Sequence, residues 1–507
     1  AEYGSVYSMS GPYTDGIVID AADGNVTINV TGETTFTGGG LNDSLITVRR
    51  AKSVTVNAEG QTITAKGNYI HCINAEKSFT GTAVLNGGIY NVQCENRSAC
   101  KLLGGSWTFD GLTMNAVNCA IETDRASVTV NGGTYDCSES FSSTFLIQNS
   151  TTSSTFTNVE ATGIGWVLNA KNSQVDIIGG SYSRTYKDNP RYKDRPTLRA
   201  SDNATLNVTD ATVTGTYCDV FVTGATANLV GGTYTNTNKY TGLGNKSPAL
   251  KVWNGGTLSV KDAVVDCMGG NAAISSAEPA GSDYYYVDGG KLVVENCTIK
   301  NSKYGIYLGQ GSNASAELKS ATFEETESDI YLESGKQITI SDTFTTPATI
   351  KAADPKEGRQ LTVENANKLN LKGQNEDFRV AYNIAQHYYY LTNRAPGYTL
   401  TANKAPDGLK FADWTVTVDG VVRSDLLRFP HEEDQTTATF DMPEGDVKVK
   451  VEYEPIEGPV GPVGPVDPVD PILPGVIIGG VIIVGAYETG TGLYRITQMD
   501  DVAMPTN

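Results

Sequence analysis

The chain is predicted to be all-β: a right-handed parallel β-helix solenoid, then a small β-grasp-like domain and an extended, proline-rich C-terminal tail. Three observations predict it. A short alternating pattern returns every 21 to 34 residues over the first two thirds of the chain. Thr, Val, Asn, Ser and Tyr crowd that region, with 54 glycines in all and few helix-forming stretches, a composition of strands and turns. The 507 residues also exceed what one compact core usually serves.

The pattern runs apolar, polar, apolar, polar, then Gly/Asp/Asn, a small residue, a polar residue and Tyr/Val/Ile/Phe. It reads Ala83-Val84-Leu85-Asn86-Gly87-Gly88-Ile89-Tyr90, then Trp107-Thr108-Phe109-Asp110-Gly111-Leu112-Thr113-Met114, then Val128-Thr129-Val130-Asn131-Gly132-Gly133-Thr134-Tyr135. Aligned on the third residue, the anchors are Ile28, Val56, Leu85, Phe109, Val130, Phe156, Ile177, Val208, Leu229, Val260, Val294, Leu318 and Ile340. A fixed period in this range marks a solenoid. The alternation marks strands with one buried face, and the Gly/Asp/Asn pair marks a bend. Leucine-rich repeats have similar length but need regular Leu and an Asn ladder, which the pattern lacks. Stacked at about 4.8 Å per coil, some thirteen coils make a rod of roughly 60 Å.

A second strand follows each anchor, as in Ile70-His71-Cys72-Ile73, Val117-Asn118-Cys119-Ala120-Ile121 and Trp166-Val167-Leu168. Cys72, Cys100 and Cys119 are expected to stack in one internal ladder. The eight cysteines show no CxxC and no Cys/His spacing for a metal. Their even count fits disulfides, and their coil-like intervals fit buried thiols equally well.

The expected boundaries are 1–373 for the β-helix with its N-terminal cap, 374–455 for the small β domain, 456–471 for the proline-rich linker and 472–507 for an apolar, strand-like tail. The small domain alternates in Tyr398–Ala402, Trp414–Val418 and Val447–Val451. In the linker, Gly458-Pro459-Val460-Gly461-Pro462-Val463-Gly464-Pro465 favours an extended polyproline-II spacer. The apolar run Gly475–Tyr487 is short for a membrane span and has no basic stop after it. Its β-branched residues make it a strand.

Lys plus Arg number 38 against 57 Asp plus Glu, a net charge of −19. Such a surface disfavours nucleic acid and anionic membranes. A hydrolase needs two carboxylates on one face. Asp110, Asp210, Asp262 and Asp342 share a coil position, but it is the bend, where Asp serves turn geometry. Of the three histidines, His71, His387 and His431 form no constellation, and His71 is read as structural. No catalytic residue, cofactor or metal site is assigned, and the chain is read as not an enzyme.

Two candidate ligand sites stand out. The insertion at 183–199 carries Arg184, Lys187, Arg191, Lys193, Arg195 and Arg199, with Tyr186 and Tyr192, a basic aromatic patch suited to an anionic glycan or an acidic neighbour, or else a solvated loop. A second insertion carries Tyr284, Tyr285 and Tyr286, which suit sugar stacking or a protein interface. The candidate self-assembly element is the tail: Val476, Ile477, Ile478, Val481, Ile482, Ile483, Val484 and Tyr487. An apolar strand on a leash invites pairing with another copy, head to tail.

Two strings resemble known families. Ala405-Pro406-Asp407-Gly408-Leu409-Lys410-Phe411-Ala412-Asp413-Trp414 and Ala438-Thr439-Phe440-Asp441-Met442-Pro443-Glu444-Gly445-Asp446-Val447 resemble the divergent internalin-type B-repeat of Gram-positive surface proteins. Gly490-Thr491-Gly492-Leu493-Tyr494-Arg495, with Met504-Pro505-Thr506-Asn507, is similar to the segment that leads into S-layer-homology repeats in Firmicute surface proteins. These resemblances imply a secreted, extracellular or cell-surface protein with a non-catalytic spacer or adhesion module. The expectation is a structural surface protein, a self-assembling filament subunit or adhesin, with copies of itself and surface or host polysaccharide as partners and no membrane span. The alternative is a pectate-lyase-like β-helix that binds or cleaves polysaccharide.

Overall fold

Alternating apolar and polar residues give each short segment one face that must be buried, and in this chain the segments bury it against one another inside a coil. The computed structural model describes residues 4–14, 16–40, 43–139, 142–185, 195–237, 247–277, 288–363, 371–373, 378–383, 386–393, 398–402, 404–405, 407–423, 426–429, 436–440, 447–456, 476–478, 481–483 and 494–496. Among them there is no α-helix. A single parallel sheet of 35 strands winds through the first unit, Ala1–Thr392.

One coil has three strands. Thr82–Asn86 forms face A, Ile89–Gln93 face B and Cys100–Leu102 face C. The next coil repeats them as Ser106–Asp110, Thr113–Ala116 and Ile121–Asp124, each in parallel register with its predecessor. All thirteen anchors fall in one column on face A, Ile28 pairing with Val56, Val56 with Leu85, Leu85 with Phe109 and so on to Leu318 with Ile340. None is more than 3 % exposed. On face C the inward column runs Ile73, Cys100, Ile121, Phe145, Leu168, Leu198, Val220 and Leu250.

The bend from face A to face B is a left-handed residue: Gly111, Gly132, Asn158, Gly179, Asp210, Gly231, Asp262 and Asn296 have φ between 51 and 65°. Only Gly, Asn and Asp take that conformation at low cost. The following glycine is required for space as well: a Cβ on Gly232, at φ +77°, would lie 2.3 Å from the Ala211 carbonyl oxygen of the coil below.

Three expectations need correction. Cys100 pairs with Ile73 and Ile121, so Cys72 falls one place and Cys119 two places before that column and the three cysteines do not share a register position. The corner cysteine instead leans its thiol on main-chain carbonyls, Cys119 on Ile121 O at 3.3 Å and Cys218 on Val220 O at 3.3 Å. Asp110 is the last residue of its strand, in register with Asn131, one place before the bend that Asp210 and Asp262 occupy. The solenoid also begins before Val26: Gly4–Tyr13 pairs with residues 25–36. Its alternation is faint because Val6 and Tyr7 are exposed and only Met9 is buried at this end coil.

At the other end Leu371–Gly373 adds a last rung beside Ala348–Ala352. The first compact unit runs past residue 373 to Thr392. The hairpin of Phe378–Asn383 and Tyr388–Asn393 belongs with the solenoid, because Tyr382, Tyr389 and Leu391 join its core and the Leu361 amide donates to Tyr389 O at 2.8 Å.

The second unit, Asn393–Asn507, is built of antiparallel sheets around Leu400, Trp414, Val416, Ala438 and Val449. Tyr398–Thr401, Leu409–Val418 and Val447–Pro455 match the three alternating stretches of the sequence. The linker at 456–471 lies, apart from Ile456, outside the described residues.

Candidate functional site

The outward side of face C differs from the rest of the solenoid. Outward positions on faces A and B carry short polar residues, often bonded coil to coil, as where Asn57 Nδ2 donates to Asn29 Oδ1 and Asn86 Nδ2 to Asn57 Oδ1, both at 2.8 Å. On face C one outward column reads Glu122, Leu146, Asn169, Arg199, Phe221, Lys251, Ser275, Tyr307 and Tyr331. It turns from polar to cationic and aromatic along the rod.

Three clusters hang on that column. At the corner of one coil, Trp166 carries the Arg195 guanidinium 3.8 Å above its ring centroid, with Arg199 at 5.6 Å. Further along, Lys251 Nζ lies 4.6 to 4.9 Å from the rings of Tyr217, Phe221 and Trp253 and donates to Tyr217 Oη at 3.2 Å. Beyond it Tyr307 and Tyr331 stack at 5.4 Å with planes 5° apart, and Tyr304 stacks on Tyr331 at 4.3 Å. Rings and cations arranged this way attract through the ring quadrupole. Nε of Arg199 and Oδ1 of Asn169 are buried there without a hydrogen bond.

The residues expected to form the sites are placed as follows. Arg184 is inside the solenoid, 4 % exposed, with Nε on Ile164 O at 3.2 Å and Nη1 on Thr216 Oγ1 at 2.5 Å. It is a core residue and not part of a surface patch, because its position continues the inward alternation of Tyr182. Arg195 stacks on Trp166. Tyr186, Lys187, Arg191, Tyr192 and Lys193 lie outside the described residues, as do Tyr284, Tyr285 and Tyr286. In the tail, Val476, Ile477 and Ile478 pair antiparallel with Ile483, Ile482 and Val481, so the apolar run makes two strands in place of one. Val484 and Tyr487 lie outside the described residues. Further on, Tyr494–Ile496 pairs antiparallel with residues 447–449 and becomes the edge strand of the four-stranded sheet of its own unit.

His71 is buried, with Nδ1 2.6 Å from Ser98 O, and burial lowers its pKa. His387 meets Tyr382 Oη at 2.9 Å, and His431 lies outside the described residues. The carboxylates at the bend take left-handed φ at Asp210 and Asp262. A shallow cleft of about 340 Å³ on face B is lined by Asn91, Asn115, Asp136 and Glu139, but Asp136 Oδ1 already accepts the Ser138 amide at 2.9 Å. Among the described residues no group of three or more His, Cys, Asp or Glu is placed to hold a metal ion, and no helix is long and apolar enough to cross a membrane.

The sequence reading placed Arg199 in the basic patch and missed Trp166, Asn169 and Lys251. For Asn169 and Lys251 the signal was present in the coil alignment, in the residue after the first buried position of each face C strand, while Trp166 lies two places before Leu168. Compared with family models and with curated proteins, the chain matches none.

Proposed function

We propose that this is a non-enzymatic structural protein of the cell surface or extracellular space, a rigid rod that joins copies of itself head to tail through its C-terminal strand. The carrying observation is the place of Tyr494–Ile496. The small unit's sheet ends on residues 447–449, and the strand that covers this edge comes from beyond the linker, with Ile456 and Tyr494 separated by 37 residues. Within one chain that strand closes its own sheet. The same edge on a neighbouring copy offers identical backbone donors and acceptors, so exchange of the strand costs no lost hydrogen bonds. Exchange that does not close on itself yields a filament, and exchange that stops at a few copies yields a multivalent adhesin.

Two further features support the setting. The eight cysteines are free thiols, and their burial keeps them inert in an oxidising medium, which makes the setting compatible with a chain without disulfides among them. The net charge of −19 keeps rods soluble and apart except where a specific contact forms. The test is assembly of the full chain against a chain cut before Pro471, followed by electron microscopy and light scattering. Loss of high-mass assemblies on truncation is the expected result. Unchanged assemblies after truncation, or a strictly monomeric full chain at high concentration, would overturn the reading.

A further inference from the structure

The unpaired atoms on face C point to a ligand. Asn169 and Arg199 are direct neighbours in the ladder, about 4.8 Å apart along the rod. Asn169 is only 5 % exposed, yet its Oδ1 has no donor, and Arg199 Nε is buried with no acceptor. A buried polar atom left unsatisfied costs about 1–3 kcal/mol, and folded proteins rarely keep two side by side without use. The pair asks for a ligand that brings an acceptor and a hydroxyl donor together.

What surrounds the pair narrows the chemistry. Trp166 stands at the same corner with two guanidinium groups over its ring. An arginine stacked by its plane keeps its in-plane N–H edge for oxyanions. The next two rungs of the column are Phe221 and Lys251. Lys251 is 2 % exposed and turned into the rings of Tyr217, Phe221 and Trp253, so a chain lying along the rod axis meets an amide, a guanidinium and a ring on three successive rungs. Sugar rings present apolar C–H faces to aromatic side chains and hydroxyls to amides, and uronate or sulfate groups present oxyanions to cations. Nucleic acid is a poorer fit, since its binding rests on many phosphate contacts and the whole chain carries a charge of −19.

We propose that the strip formed by Trp166, Asn169, Arg199 and Phe221 on face C binds an anionic polysaccharide, held along the rod axis. This goes beyond the assembly reading and does not depend on the tail. Uronate and sulfate share the required chemistry, and separate probes distinguish them.

The experiment measures binding of the full chain to polygalacturonate, heparin and dextran at two salt concentrations. Binding to polygalacturonate, to heparin or to both, weakened by salt and absent for dextran, is the expected result; which of the two binds names the acid group. Arg199→Gln should lower affinity at least tenfold with an unchanged unfolding midpoint, while Lys261→Gln on face A should bind as the parent does. Asn169→Leu should also weaken binding, with the salt dependence preserved. Should Trp166→Ala fail to fold, Arg199→Gln still carries the test, since that side chain makes no hydrogen bond through Nε. Absence of binding to both acidic polymers, equal binding of dextran, or full affinity in both Arg199→Gln and Asn169→Leu would overturn the proposal.

Discussion

Arg184 donates from Nη1 to Thr216 Oγ1 in the coil above and from Nε to Ile164 O in the coil below, so one buried guanidinium ties three coils together. Room for it comes from Gly163, its register partner, which carries no side chain into the same corner. Hydrogen bonds to a charged group contribute about 1.5–3 kcal/mol each, and the cost of burying the charge offsets part of that. Arg184→Met should therefore lower the stability of the rod by about 2–4 kcal/mol. The urea midpoint reports it. A midpoint within error of the parent would show that the guanidinium contributes nothing net.

Phe156 occupies the anchor column between Val130 and Ile177 and packs on Phe145 at a ring distance of 4.8 Å. It is fully buried, and the coils above and below hold their places by main-chain bonds, so the site has little freedom to collapse. Phe156→Ala should cost about 3–5 kcal/mol. Phe156→Leu, which keeps most of the volume, should cost well under half of that on the same denaturation curve.

The anchors, the bends, the face A strands and the approximate place of the face C strands were legible because each has a local cause. A buried strand face shows as alternation, as at Val128-Thr129-Val130, and a left-handed bend shows as Gly, Asn or Asp, as at Asp210. Face C was harder to read. Its strands are as short as Cys100–Leu102, too brief for alternation to stand out, and offsets of one residue at Cys72 and two at Cys119 separate the three cysteines. Arg184 was misread for a related reason: a charged residue next to a basic insertion looks like its first member, while the alternation from Tyr182 places it inside. The pairing of Asn169 with Arg199 depends on register between residues 30 apart, which no local pattern encodes.

The cysteines should be silent in the folded state. All eight are buried and free, and burial pushes the Cys72 and Cys137 thiols up to about 12. The thiolate is the reactive form, so at pH 8 an aromatic disulfide reagent should label none of the eight within minutes. In strong denaturant it should label all of them. Fast labelling of any one in the native protein would show that its coil opens locally.

Asp219 gives the rod an acid-favoured term. It is fully buried at the corner before face C, and neither carboxyl oxygen has a hydrogen-bond partner. Loss of water around it raises its pKa well above the ordinary value, the Asp266 charge adds to this, and the nearby Gly215 amide acts in the opposite direction. Tyr234, whose hydroxyl is buried and unpaired, shares the same interior. With the folded pKa above the unfolded one of about 3.9, the native state holds the proton longer than the unfolded chain does. The contribution of this group to stability is then full below about pH 4 and is lost as pH rises through the folded value. Asp219→Asn keeps the shape and removes the titration. Its urea midpoint should match the parent near pH 4 and exceed it increasingly toward pH 8, and a constant difference across that range would show that Asp219 does not titrate between the two states.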